Sequence, residues 1–219
     1  MPTLVLFDFD GTLADTAPDL AAAANQARAR KGLAPLPYEL LRPMASQGAR
    51  GLLKAGLDMN PDDPGYEECR LQFLADYEQG MTASTTLFPG IADLLATLKR
   101  RDYRWGIVTN KAEYLALPLV RHLGLQGECA ITVGGDTTGQ RKPHPAPLLY
   151  AAEKTGFDPA QCLYIGDDER DIQAGKAAGM KTVAAAYGYC GQTDAGQWNA
   201  DALAHTPREV WAAIERLSA

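Results

Sequence analysis

Thr3-Leu4-Val5-Leu6-Phe7-Asp8-Phe9-Asp10-Gly11-Thr12 is the stretch on which the reading of the chain turns. Thr3–Phe7 is a short apolar run, the pattern of a strand buried on both faces of a parallel sheet. Two aspartates then alternate around Phe9 at the predicted carboxyl end of that strand, where open α/β sheets place their ligands. A strand-ending turn with solvated acids would give the same short pattern, so D-x-D alone decides nothing. An EF-hand loop is excluded, because its sixth position needs glycine and here holds Leu13.

Outward from this stretch, further runs of strand type occur at Tyr103–Thr109, Ala130–Val133, Cys162–Ile165 and Lys181–Ala185. Helix-length amphipathic stretches separate them: Gly90–Arg101, Ala112–Leu123, Ala146–Thr155 and Asp168–Ala178, with Pro207–Leu217 as a final helix. In the first of these, Ile91, Leu94, Leu95 and Leu98 recur at helical spacing. The alternation predicts an α/β fold built on a doubly wound parallel sheet. It stops between the first strand and Gly90. There Ala17–Lys31, Leu40–Leu57 and Pro64–Gln79 read as three helices, divided by Gly32–Pro37 and Asn60–Pro64. Helices without a strand cannot extend the sheet. Residues 16–81 are therefore predicted to form a helical insert, residues 1–15 and 82–219 the core, and Thr82–Thr86 the return hinge.

Composition narrows the function classes. The 219 residues are 46% apolar and 22% charged, enough to bury a core and unlike a disordered or disulfide-stapled chain. With 21 Lys+Arg against 27 Asp+Glu, the net charge of −6 predicts no nucleic-acid partner. No apolar run approaches the ~18 residues of a membrane span, and the N-terminus lacks the basic start and apolar stretch of a secretory signal. A cytoplasmic protein without a membrane partner is expected. Cys69, Cys129, Cys162 and Cys190 form no C-x-x-C and predict reduced thiols; His122, His144 and His205 form no zinc-binding pattern.

A second acidic cluster, Gly166-Asp167-Asp168-Glu169-Arg170-Asp171, follows another buried run. Asp167 and Asp171 share a face if a helix begins there. An acidic helix N-terminus favoured by the macrodipole is the plain alternative. Carboxylates gathered from two strand ends repel each other unless a cation sits among them, and oxygen-only ligands suit Mg²⁺. Thr109-Asn110 adds a hydroxyl and an amide past the second strand, and Lys142, in Arg141-Lys142-Pro143-His144-Pro145, adds a cation. Taken singly, Thr109 is a strand-end hydroxyl and Lys142 a solvated lysine.

The order D-x-D-G-T, hydrophobic-T-N, K-P and G-D-x-x-x-D, spanning Asp8 to Asp171, resembles the haloacid dehalogenase-like phosphohydrolase superfamily. The insert resembles that superfamily's small α-helical cap. Within it the chain is similar to phosphoglycolate phosphatase-like members, and most to the N-acetylmuramic acid 6-phosphate phosphatases. That likeness rests on Ser46-Gln47-Gly48-Ala49-Arg50, Leu87-Phe88-Pro89-Gly90, Trp105–Lys111 and Gly166–Ile172.

The resemblance implies a Mg²⁺-dependent phosphatase acting on a small phosphorylated metabolite. Asp8 would be the nucleophile that forms an aspartyl-phosphate, and Asp10 the acid and base. The presence of Asp10 argues against dehalogenase activity, because the family's dehalogenases lack this acid. Asp8, the Asp10 main-chain oxygen and Asp167 would hold Mg²⁺, with Asp171 and Asp168 behind them. Thr109, the Asn110 amide and Lys142 would ligate the phosphoryl oxygens. Gly11 and Thr12 would lie against the phosphate and the turn, and Arg50 would meet a substrate carboxylate. A sugar phosphate mutase carries the same motifs, and a catalytically silent binding protein would keep the fold. Both a monomer and a dimer are compatible with the sequence.

Overall fold

The computed structural model describes residues 3–191 and 193–218, so Met1 and Pro2 of the N-terminus considered above lie outside it. The central strand is β1 (Leu4–Phe7), every residue of it buried. Two-residue strands β2 (Ala14–Asp15) and β3 (Thr86–Leu87) follow in the chain, then β4 (Arg104–Val108), β5 (Thr132–Val133), β6 (Cys162–Gly166), β7 (Lys181–Ala185) and β8 (Ala202–Ala204). Six of these form one sheet in the order β5-β4-β1-β6-β7-β8, with every neighbouring pair parallel. The chain thus winds outward from β1 in one direction, returns, and winds outward in the other. The order reverses between β1 and β6, which opens a crevice at their carboxyl ends.

The alternation along β1 shows why the run of apolar residues was needed. Val5 and Phe7 enter a core shared with Leu94 and Leu98 of α5 (Ile91–Arg100), Leu119 of α6 (Glu113–His122) and Ile214 of α9 (Pro207–Leu217). Leu4 and Leu6 enter the opposite core with Leu148 and Ala152 of α7 (Ala146–Thr155) and Ala174 of α8 (Glu169–Ala177). Each such side chain contributes about 1.5–3 kcal/mol by leaving water, so both faces select apolar residues.

The region between β2 and β3 holds helices joined by loops, with no strand among them: α1 (Ala17–Arg30), α2 (Tyr38–Leu41), a 3-10 turn over Arg42–Gln47, α3 (Gly48–Leu57) and α4 (Tyr66–Gly80). The alanine face of α1, with Ala21, Ala24 and Ala27 buried, lets neighbouring helices approach closely. The single helix expected over Leu40–Leu57 is broken. Pro43 lies in the first turn of the 3-10 segment and Gly48 closes it at φ +58°, a backbone state that glycine favours. The return segment is more ordered than a bare hinge. Thr86 and Leu87 pair antiparallel with Asp15 and Ala14. The backbone N–H groups of Ser84 and Thr85 and the Thr85 hydroxyl all donate to the Asp19 carboxylate in the first turn of α1.

The strand β8 was not anticipated, and β5 is shorter than the expected run. The four cysteines are free thiols. Among the described residues no helix is long and apolar enough to cross a membrane.

Candidate active site

Asp8 continues β1 by one residue: its backbone N–H donates to the Ile165 carbonyl at 2.8 Å, which holds it beside the end of β6. Asp167, just past β6, is fully buried on the other side of the crevice. Asp171 joins them from the first turn of α8, and one carboxylate oxygen from each of Asp8, Asp167 and Asp171 lies within 4.8 Å of the others. The resemblance placed Asp171 behind the metal ligands; here its carboxylate is as near as theirs.

Gly11, expected against the phosphate, and Thr12, expected to hydrogen-bond at the turn, both meet Asp167. The Thr12 hydroxyl donates to Asp167 Oδ1 at 2.9 Å and the Tyr189 N–H to Oδ2 at 2.8 Å. Gly11 has φ +87°, and a Cβ there would lie 2.1 Å from Asp167 Oδ2, so no side chain fits. The glycine after the paired aspartates thus makes room for a carboxylate arriving from the end of the neighbouring strand β6.

Lys142 is the cation of the cluster. Its Nζ lies 2.8 Å from Asp8 Oδ1, 2.7 Å from Asp171 Oδ1 and 2.7 Å from the Tyr164 hydroxyl, and it donates to the Val108 carbonyl at 3.0 Å. The Tyr164 hydroxyl in turn donates to Val108 at 2.7 Å. Burial opposes the charge on Lys142, but Asp171 and Asp8 outweigh it and hold the ammonium above its usual range. One ammonium does not balance three carboxylates. Burial first, then the charges of Asp8 and Asp171, push the Asp167 carboxyl well above the carboxylate range. Burial likewise pushes Asp171 up to about 7, against the pull of Lys142. An all-oxygen, charge-rich donor set that titrates this unfavourably by itself fits a hard divalent cation.

Asp10 stands apart from this trio. Its Oδ1 accepts from the Thr16 hydroxyl and lies 3.0 Å from Lys111 Nζ. Burial would lower the Lys111 pKa, but Asp10 and the Tyr77 hydroxyl raise it above the ordinary lysine value. Thr109 is buried, and its Oγ1 accepts the Lys111 N–H at 3.1 Å.

Two further side chains of the expected site have partners that the sequence did not show. The Asn110 side chain was read as a phosphoryl ligand, yet its Oδ1 accepts the Lys142 N–H at 2.9 Å and its Nδ2 donates to the Lys142 carbonyl at 2.9 Å. It clasps the lysine's main chain and so aims the ammonium. Asp168, expected behind the metal ligands, lies outside the trio, and its N–H donates to Asp171 Oδ2 at 3.1 Å. It caps α8 through the Arg170 N–H at 2.9 Å and pairs with the Arg170 guanidinium at 2.7 and 2.8 Å. Arg170 reaches on to the Ser46 carbonyl at 2.7 Å, linking the core to the inserted helices.

A cavity of about 630 Å³ joins the two parts. Asp8, Asp10, Thr109 and Lys142 face it from the core, and Ser46, Arg50, Phe73 and Tyr77 from the insert. Arg50, exposed in the first turn of α3, has no ion-pair partner among the described residues. Lys111, Tyr77, Tyr164 and Arg170 were not singled out from sequence. The only signals were the place of Lys111 directly after Thr109-Asn110 and that of Arg170 inside the second acidic cluster.

Known proteins place this geometry. The haloacid dehalogenase-like hydrolase family matches residues 5–185. A phosphoglycolate phosphatase of Xanthomonas campestris is 44% identical over 96% of this chain and 95% of its own. An N-acetylmuramic acid 6-phosphate phosphatase of Pseudomonas putida is 39% identical over 96% and 95%. The crystal structure of a predicted phosphoglycolate phosphatase from Haemophilus somnus superposes with a TM-score of 0.87 at 28% identity, covering 97% of this chain and 98% of that one. A strand-end aspartate held by a buried lysine, in a chain alike over nearly its whole length to such enzymes, belongs to the haloacid dehalogenase-like hydrolase family and to its phosphoric monoester hydrolases.

Proposed function

We propose that the chain hydrolyses a phosphorylated, carboxylate-bearing metabolite through a covalent phosphate on Asp8, with residues 16–81 acting as a cap over the core site. The observation that carries this reading is the Lys142 ammonium wedged between Asp8 and Asp171 at the end of β1, facing the cavity. An oxygen of Asp8 bonds to phosphorus as the bond from phosphorus to the ester oxygen breaks, and the departing oxygen takes a proton from Asp10. Asp10 then takes a proton from water, whose oxygen bonds to phosphorus as the bond to Asp8 breaks. Inorganic phosphate leaves, and both side chains are restored. Thr109 and Lys142 hold phosphoryl oxygens, while Asn110 fixes Lys142.

Asp8 and Asp167, with the Asp10 main-chain oxygen, would hold Mg²⁺, and Asp171 stands close enough to join them or to orient its waters. The ion, when bound, offsets the repulsion between a carboxylate and a phosphate dianion.

The related enzymes are named for phosphoglycolate and for N-acetylmuramic acid 6-phosphate, and both compounds carry a carboxylate. The cavity of about 630 Å³ lies within the range of sites that enclose ligands of drug size, larger than the two-carbon phosphoglycolate needs, so the phosphorylated sugar acid is favoured. Arg50, which lines the cavity from α3 and has no ion-pair partner among the described residues, would meet the carboxylate. Phosphate release from 2-phosphoglycolate, N-acetylmuramic acid 6-phosphate, hexose phosphates and 4-nitrophenyl phosphate tests this. The two carboxylates should lead, and Arg50→Ala should raise KM about tenfold for them, the value of one charge-assisted hydrogen bond. A similar rise for 4-nitrophenyl phosphate would remove Arg50 from carboxylate binding. An isomerised sugar phosphate without released phosphate would instead identify a mutase.

A further inference from the structure

Lys111 is buried where nothing in the mechanism above requires a lysine. Its Nζ lies 3.0 Å from Asp10 Oδ1 and 3.1 Å from the Tyr77 hydroxyl, and 4.5 Å above the Tyr77 ring. Its side chain is 7% exposed. The backbone is tethered on both sides: the N–H donates to Thr109 Oγ1 at 3.1 Å, and the carbonyl accepts from Gly135 at 2.8 Å. Tyr77 belongs to α4 of the insert and is 1% exposed. The same Asp10 oxygen also receives the Thr16 hydroxyl. Both donors therefore converge on Oδ1 of Asp10.

We infer that Lys111 is a positioning residue for Asp10. With Thr16 it pins Oδ1, so that Oδ2 presents the proton to the departing ester oxygen, and it stabilises the carboxylate left when that proton moves. Because Tyr77 closes over the ammonium from the insert, the grip on Asp10 is complete only when the inserted helices sit on the core. A proton source at the right oxygen matters in proportion to how poor the leaving group is, so the effect of Lys111 should scale with the ester.

This inference rests on the reading of Asp10 as the acid, and the test separates the two. Benzyl phosphate and 4-nitrophenyl phosphate are similar in size, but the first must expel an alkoxide and the second a stabilised phenolate. The quantity to follow is kcat/KM, which ends at the first phosphoryl transfer. Lys111→Met should lower it at least tenfold more for the benzyl ester than for the 4-nitrophenyl ester, and Tyr77→Phe, which removes only a hydroxyl, should do the same to a smaller degree. Asp10→Asn should show the same selectivity, more strongly. Equal losses on both esters for Lys111→Met and Tyr77→Phe would make Lys111 a phosphate-binding or structural residue and overturn the inference; so would no loss on either. If Asp10→Asn itself discriminates between the esters and the other two do not, Asp10 stays the acid and Lys111 has no part in placing it. If Asp10→Asn does not discriminate, the reading of Asp10 falls, and Lys111 with it.

Discussion

Asp8→Asn is expected to lower kcat by about 10⁴-fold or more while leaving the protein folded. The magnitude follows from removing the group that bonds to phosphorus, since the remaining cations and donors bind the ester without a nucleophile. The fold should survive because an amide oxygen can still accept from Lys142, which now sits 2.8 Å from Asp8 Oδ1. The substitution also removes one of three charges gathered within 4.8 Å. Released phosphate measures the first effect and circular dichroism the second. A folded Asp8→Asn enzyme with activity within tenfold of the parent would exclude Asp8 as nucleophile.

Removing divalent cations should silence the enzyme and expose a pH dependence of stability. The carboxyls of Asp167 and Asp171 both titrate higher in the folded protein than in the unfolded chain, Asp171 at about 7 against an ordinary 3.8. A carboxyl shifted upward gives stability that is fully present below the unfolded value and is lost as pH rises through the folded one. The cation-free protein should therefore lose stability between about pH 4 and pH 7 and stay weakened above. A bound divalent cation needs the ionised forms, so it restores most where the loss is greatest. With Mg²⁺ at about 100 times Kd the gain is about 2.7 kcal/mol, or roughly 5–10 °C in Tm for a chain of this size. Melting with Mg²⁺ and with chelator should differ by that amount at pH 8 and by little at pH 5. Equal curves at pH 8, or full turnover in excess chelator, would count against an ion among these carboxylates.

The central strands were legible because each had to be apolar on both faces, a demand that local sequence records directly. β8 was not. Ala202-Leu203-Ala204 is three residues at the sheet edge with no β-branched side chain, and only its pairing with β7 makes it a strand. The break before α3 was not legible either: Pro43 and Gly48 fall inside Leu40–Leu57, which read as one helix.

The same limit governs the site. Asp8, Asp10, Asp167, Thr109 and Lys142 stand at strand ends or in short motifs, where position in the chain already implies position in the sheet. The partners of the Asn110 side chain were not legible because they are main-chain groups of a residue 32 positions away. Thr12 reaches Asp167 across 155 positions and Lys111 meets Tyr77 across 34. Arg170 reaches Ser46 across 124. Periodicity and motif spacing carry no information about such partners; the fold creates them.

The central claim, a covalent phosphate on Asp8, is tested most directly by quenching the enzyme during turnover with borohydride, which reduces an acyl phosphate to an alcohol. Peptide mass spectrometry should then find homoserine at position 8, dependent on substrate and absent from Asp8→Asn. An unaltered Asp8 under steady turnover, or conversion of Asp10 in its place, would contradict the account.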